Sequence, residues 1–173
     1  MKNGNGKEQK IYFIVIKFRL IHTDMVYNVL DIANKILVQP LKSEGDELIT
    51  NMKLQKLLYY MQGFHLALFD GNPLFDEEIE AWMYGPVVPS MYRHFSKYTN
   101  NGIKPDVLLD QVISLTNDEE ALFKEVFRVY GAYSAIGLMQ LTHSEEPWSS
   151  VSTGQGSIIT KDVMTSFFKT RFK

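Results

Sequence analysis

The residues in this chain whose types suit chemistry are four histidines, a run of acids and one short glycine pair. His143 and Glu146 stand three apart, a spacing that lets both serve one metal ion. A catalytic zinc site needs a third protein ligand and a structural one needs four. A metal-assisted hydrolase built on His143, Glu146 and one acid from residues 76–80 is therefore the enzyme alternative. The plainer reading is a His143–Glu146 hydrogen bond that fixes the loop before Trp148. His65 lies on an apolar helical face and reads as a hydrogen-bonded core histidine, whereas His94, beside Arg93 and Lys97, reads as solvated. Asp76, Glu77, Glu78 and Glu80 could supply a carboxylate pair, but such runs usually form solvated loop edges. Gly154-Gln-Gly156 lacks the third glycine or the lysine of a phosphate-binding loop. No Gly-x-Ser-x-Gly elbow occurs, and there are no cysteines to provide a thiol nucleophile or a thiolate metal site. No catalytic constellation assembles, and the expectation is a protein that is not an enzyme, with no cofactor and no bound metal.

Display of aromatic residues is the stronger signal. Trp82, Tyr84, Tyr92 and Trp148 sit beside turns and prolines, and tryptophan and tyrosine are enriched at binding hot spots. The alternative is that Trp82 and Trp148 pack on each other or on the core.

The elements that position these residues can be read from periodicity. Leu54, Leu57, Leu58, Met61, Phe64, His65 and Leu68 recur at helical steps. Tyr59, Tyr60 and Leu66 widen the face so far that the helix is expected to be buried on most sides. Thr50 or Asn51 caps it, and Lys53 and Lys56 fall in its first two turns. Positive charge there opposes the helix dipole, and Asp46 and Glu47 are close enough in sequence to offset it. An earlier helix runs from Val26 through Leu37, ended by Pro40, and Ser43–Asp46 reads as a loop. Ile79–Tyr84 reads as a strand stopped by Gly85-Pro86, with Ile79, Ala81 and Met83 on one side. Pro89 or Ser90 opens a helix bearing Met91, Tyr92, Phe95 and Tyr98. Val107–Leu115 fits strand or irregular structure better than helix. Asn117 caps a helix with Phe123, Val126, Phe127 and Tyr130 inward, and Ser134 starts another that finishes near His143. Glu145–Trp148 is expected to be a loop because Pro147 restricts its neighbour. Ile158-Ile159 is a short strand, and Thr160 caps a last helix. The fold class is mainly α, a compact multi-helix domain with a buried central helix and two or three short β-strands.

Composition bounds the rest. The chain has 173 residues, 45% of them hydrophobic and 22% charged, the profile of a globular protein of one domain. Residues 1–24 carry five basic and two acidic residues, leaving thirteen basic and eighteen acidic in residues 25–173, a net of −5. That acidic balance disfavours phosphate backbones, so nucleic-acid binding is not expected and a DNA-binding autorepressor is the weakest alternative. The apolar run Ile11–Ile16 is too short to span a bilayer and is cut off by Lys17 and Arg19. Residues 1–24 read as an extension, either disordered or an added edge strand, before a single domain over 25–173. The expected location is the cytoplasm, with no membrane partner.

Four stretches, in order, resemble the Panacea antitoxin domain, a family that includes SocA-like and GepA-like phage-associated proteins. The first is Leu54-Gln-Lys-Leu-Leu-Tyr-Tyr, with Leu54, Gln55, Lys56, Leu57 and Tyr59; the second is Gly71-Asn-Pro-Leu-Phe. The third is Ile79-Glu-Ala-Trp-Met-Tyr-Gly-Pro-Val-Val-Pro89, with Trp82, Tyr84, Gly85 and Pro86. The fourth is Leu141-Thr-His-Ser-Glu-Glu-Pro-Trp148, with Thr142, His143, Glu146, Pro147 and Trp148. The resemblance runs from about Met25 to the C-terminus and leaves residues 1–24 without a counterpart. It implies an antitoxin of a bacterial or prophage toxin–antitoxin system, neutralising a cognate protein toxin by direct binding. In the SocA-like branch it also implies delivery of the toxin to a ClpXP-type protease. It carries no catalytic residues. Most of these motif residues read as fold-makers, and Lys53, Lys56, Trp82, Tyr84 and Tyr92 are the expected partner-binding residues. The net −5 further suggests a basic toxin, since complementary charge speeds association.

Overall fold

The computed structural model describes residues 25–42 and 47–172. The extension at residues 1–24, with His22, and the expected loop at residues 43–46, with Asp46, lie outside the described residues. The elements are α1 (Val29–Leu37), a 3-10 turn (Gln39–Lys42), α2 (Asn51–Leu68), β1 (Ile79–Trp82), β2 (Gly85–Val87) and α3 (Pro89–His94). There follow a 3-10 turn (Ser96–Tyr98), α4 (Asn117–Tyr130), α5 (Ala135–His143), α6 (Glu146–Ser149), β3 (Ile158–Ile159) and α7 (Lys161–Lys169). The class is mainly α with a three-stranded sheet in the order β2-β1-β3, antiparallel throughout.

Helix α2 is the axle. Every residue from Leu54 to Ala67 is buried, because α7, α4, α5, β2 and α1 all pack on it. Thr50 caps it by accepting a hydrogen bond from the Lys53 amide. Apolar burial drives this arrangement, and aromatic contacts shape it. The Phe168 ring of α7 meets Tyr59, Tyr60 and Phe64 edge-on, and Tyr60 stacks on Tyr130 of α4 at 3.8 Å. Gly63 allows α7 to come this close, since a Cβ there would overlap the Phe168 ring.

Most helices follow the sequence reading, but α1 begins at Val29 behind the Asn28 cap rather than at Val26, and α3 ends at His94, leaving Tyr98 in the following 3-10 turn. Three further differences concern α4, the hairpin and residues 145–149. The cap of α4 is Thr116, one residue before the expected Asn117. Its hydroxyl accepts from the Glu119 amide, and Glu119 reaches back to the Thr116 amide, a reciprocal capping box. The strand expected over Ile79–Tyr84 ends at Trp82, and Gly85-Pro86 does not stop it but opens β2. Trp82 pairs with Gly85 across the two-residue turn Met83-Tyr84, so Met83 is an exposed tip rather than a strand residue beside Ile79 and Ala81. Glu145–Trp148 is not a loop throughout. Glu146–Ser149 forms a turn of helix with Pro147 in its first turn, where a missing N–H costs nothing. Residues 107–115 are irregular.

Candidate functional site

The polar side chains of α2 each pin a different segment to the axle. Gln62 donates to Phe75 O and accepts from the Leu74 amide, both at 2.7 Å, which holds the chain after the helix. His65 places Nδ1 2.8 Å from Asn72 O and Nε2 3.2 Å from the Glu119 carboxylate, the core role expected of it. Gln55 accepts from the Val88 amide at 2.9 Å, and Lys56 Nζ donates to Pro86 O at 3.1 Å. Asn51 Nδ2 donates to Tyr92 O. Three of these bonds thus grip β2 and α3 from one helix face. Buried polar groups must be bonded somewhere, and for these three the partners are backbone groups of β2 and of α3 with its cap.

Two carboxylates are buried against the axle. Glu119 accepts from Tyr27 Oη at 2.7 Å and from the Thr116 hydroxyl at 2.7 Å, besides facing His65. Burial alone would raise its pKa, but the bonds from His65, Tyr27 and Thr116 outweigh that and hold it down at about 2. Glu145 accepts from Tyr59 and Tyr60 hydroxyls at 3.2 and 3.1 Å. Its burial wins, lifting the pKa to about 7 against the opposing charge of Arg171 and the two tyrosine bonds. Neither glutamate was singled out by motif reading. The Thr116-x-x-Glu119 spacing was a signal for one, whereas nothing local marks Glu145 as buried.

The β1–β2 hairpin leans over Lys56. Gly85 has φ +99°, and a Cβ there would stand 2.5 Å from Lys56 Cε and 2.9 Å from Thr142 Oγ1, so glycine is needed for both its conformation and its closeness. Trp148 Nε1 donates to Trp82 O at 2.9 Å and anchors the hairpin from the α6 side. The Trp82 ring instead meets Tyr92 edge-on at 5.1 Å, with its Nε1 donating to Glu80. The two tryptophans therefore divide: Trp148 is a strut, and Trp82 forms a surface wall. Between this hairpin and α3 lies a groove of about 590 Å³, lined among others by Gln55, Lys56, Trp82, Met83, Tyr84 and Tyr92. Met83 is 71%, Tyr84 61% and Tyr92 41% exposed.

Four of the five expected partner-binding residues, Lys56, Trp82, Tyr84 and Tyr92, meet in this groove. Lys53 does not. It donates to Gly131 O at the C-terminal end of α4 and borders a separate hollow with Pro40, Phe127 and Arg128. Leu54, Leu57, Tyr59, Gly85, Pro86, Thr142 and Pro147 are buried and act in the fold.

The enzyme alternative does not assemble. His143 stacks on Trp148 at 3.9 Å and hydrogen-bonds the Met83 backbone, so its partner is not the expected Glu146, which is exposed. Burial, then the nearby Lys56 charge, lowers the His143 pKa. Glu80 accepts from the Gly156 amide and Glu78 pairs with Lys161. Among the described residues no three histidine or carboxylate side chains stand where they could hold a metal ion, and no helix is long and apolar enough to cross a membrane.

Residues 54–149, which hold α2 from Leu54 onward, the hairpin, α3 and the Trp148 strut, match the family model "Antitoxin SocA-like, Panacea domain". This chain belongs to the SocA-like Panacea family. Antitoxin SocA of Caulobacter vibrioides (strain NA1000 / CB15N) is 38% identical over 119 residues, which cover 63% of this chain and 63% of that protein. No solved structure matches the chain. The Panacea segment begins within the axle helix and ends just after the strut that steadies the hairpin, and among the described residues it holds every one that lines the groove except Asn51 and Met52.

Proposed function

We propose that this Panacea-family chain is an antitoxin that neutralises a cognate protein toxin of a bacterial or prophage toxin–antitoxin pair, by direct binding at the hairpin groove. The observation that carries the reading is the hairpin tip. It holds Met83 and Tyr84 in water, beside Tyr92, on a segment bonded to the axle helix at Pro86 and Val88. Large aromatic side chains on a rigid support bind with little ordering cost. Family membership and the name of the Caulobacter relative support the antitoxin role.

Co-expression with the adjacent reading frame tests it. The neighbour alone should arrest growth, and this chain should relieve the arrest. Tyr84→Ala should keep its unfolding midpoint, because the side chain is exposed, yet weaken toxin binding about thirtyfold, a loss of about 2 kcal/mol typical of an anchor. A harmless neighbour, or full relief by Tyr84→Ala, would count against the reading. Occlusion of the toxin and its delivery to a ClpXP-type protease differ in toxin half-life. Delivery shortens it when the antitoxin is present; occlusion does not.

A further inference from the structure

The floor of the groove has the opposite sign to the domain around it. Lys56 is the one charged residue among those lining the groove, and it is 1% exposed. Its ammonium has three donors, and Pro86 O accepts from it. Among the described residues no carboxylate stands within ion-pair distance of it. Burial, unopposed by any neighbouring acid, brings its pKa down to about 7. Of the polar groups beside it, Asn51 bonds Tyr92 O, Gln55 bonds the Val88 amide and Asn51, and the Thr142 hydroxyl donates to Met139 O. A buried ammonium without a counter-charge is unfavourable, and a fold that needed only a hydrogen bond to Pro86 O could use a neutral donor.

We propose that a carboxylate of the toxin completes this site: an Asp or Glu side chain on a segment crossing the groove, set between the Trp82–Tyr84 hairpin and Tyr92 and paired with Lys56. The proposal rests on the reading of the groove as the toxin-binding face and names the chemistry that enters it. Among its lining residues Tyr84, at the hairpin tip, and Thr99 and Asn100, after α3, are exposed. The proposed partner is a side-chain carboxylate within that segment, not a chain terminus. The flexible four-carbon stem lets the ammonium swing from Pro86 O to the incoming oxygen. Met52, Met83, Val87 and the aromatic walls favour apolar neighbours around that acid and exclude water from the pair. Exclusion of water strengthens a charge-assisted bond, and removal of either partner then strands the other. The acid is a local feature and is compatible with a toxin of either overall charge.

A selection of displayed twelve-residue peptides on the purified full chain tests this without knowledge of the toxin. Peptides are displayed both internally and with free C-termini, and those lost on Tyr84→Ala are kept as groove binders. The expected binders come from the internal display and carry an Asp or Glu beside apolar residues. Changing that acid to Asn or Gln should weaken binding to the wild-type chain at least about tenfold, and to Lys56→Met less than about twofold. The exchange within the peptide needs no folded variant, so the first arm stands even if Lys56→Met fails to fold. No groove binders, binders indifferent to loss of the acid, or binders only with a free C-terminus would overturn the proposal. Acid-dependent peptides together with a harmless neighbouring reading frame would instead sink the antitoxin reading and leave the carboxylate site standing.

Discussion

Lys56 and Glu145 are buried ionisable residues whose burial moves them toward neutrality from opposite sides, and this makes stability depend on pH in two directions. The folded pKa of Glu145 is about 7 against an ordinary 4.5. Between those values the folded protein keeps a proton that the unfolded chain has released, so stability falls as pH rises through the window. Lys56 has a folded pKa of about 7 against an ordinary 10.5. Between those values the unfolded chain holds the extra proton, so stability rises with pH. Glu119, held at about 2, adds stability that is lost as pH falls from 4.5 toward 2. Denaturant unfolding across pH should therefore show a shallow minimum near neutrality. Glu145→Gln should flatten the limb between pH 4.5 and 7, and Lys56→Met the limb between 7 and 10.5. A profile unchanged by either substitution would contradict these assignments. Both positions were quoted within motif stretches, but a sequence does not say which polar residue of a helix or a loop is buried.

At the level of elements, α2 is a helix with no solvent face, and its neighbours are set by what it holds. The contact with α7 depends on Gly63 lying under Phe168. Gly63→Ala adds one methyl group to a packed core and should cost about 1–3 kcal/mol. Phe168→Leu added to it should recover part of that loss, because the two act on one contact; urea unfolding of the single and double variants measures both. Helices whose starts carry Thr50, Ser134 and Thr160 were legible, since each cap accepts from the amide three residues on. The β1–β2 hairpin was not. Gly85-Pro86 resembles a strand terminator, yet β2 forms because Pro86 needs no amide donor and Lys56 takes up its carbonyl. Pro147 misled in the same way, since its effect depends on whether the first turn of a helix falls there.

For the molecule as a whole, the described chain is tied down at its start. Tyr27 donates through its amide to Leu74 O at 2.8 Å and through its hydroxyl to Glu119 at 2.7 Å. We propose on this basis that residues 25–173 form the folding unit. A chain beginning at Met25 should unfold in one transition at the midpoint of the full chain, measured by thermal or urea melts. Tyr27→Phe should lower stability by about 1.5–3 kcal/mol, the range for a hydrogen bond to a charged group. A Met25 chain that failed to fold would assign residues 1–24 a structural part.

The sequence by itself determined the class, the axle helix, most of the caps and the family resemblance. These rest on local pattern: the spacing of apolar residues, the hydroxyl before each helix, and linked motifs along one chain. Only the tertiary structure decided what Lys56, Gly85 and Glu145 do. Their roles depend on which segments, distant in sequence, close over them. Burial leaves a helix lysine without a counter-charge beneath an aromatic groove, and no neighbour in the sequence records that.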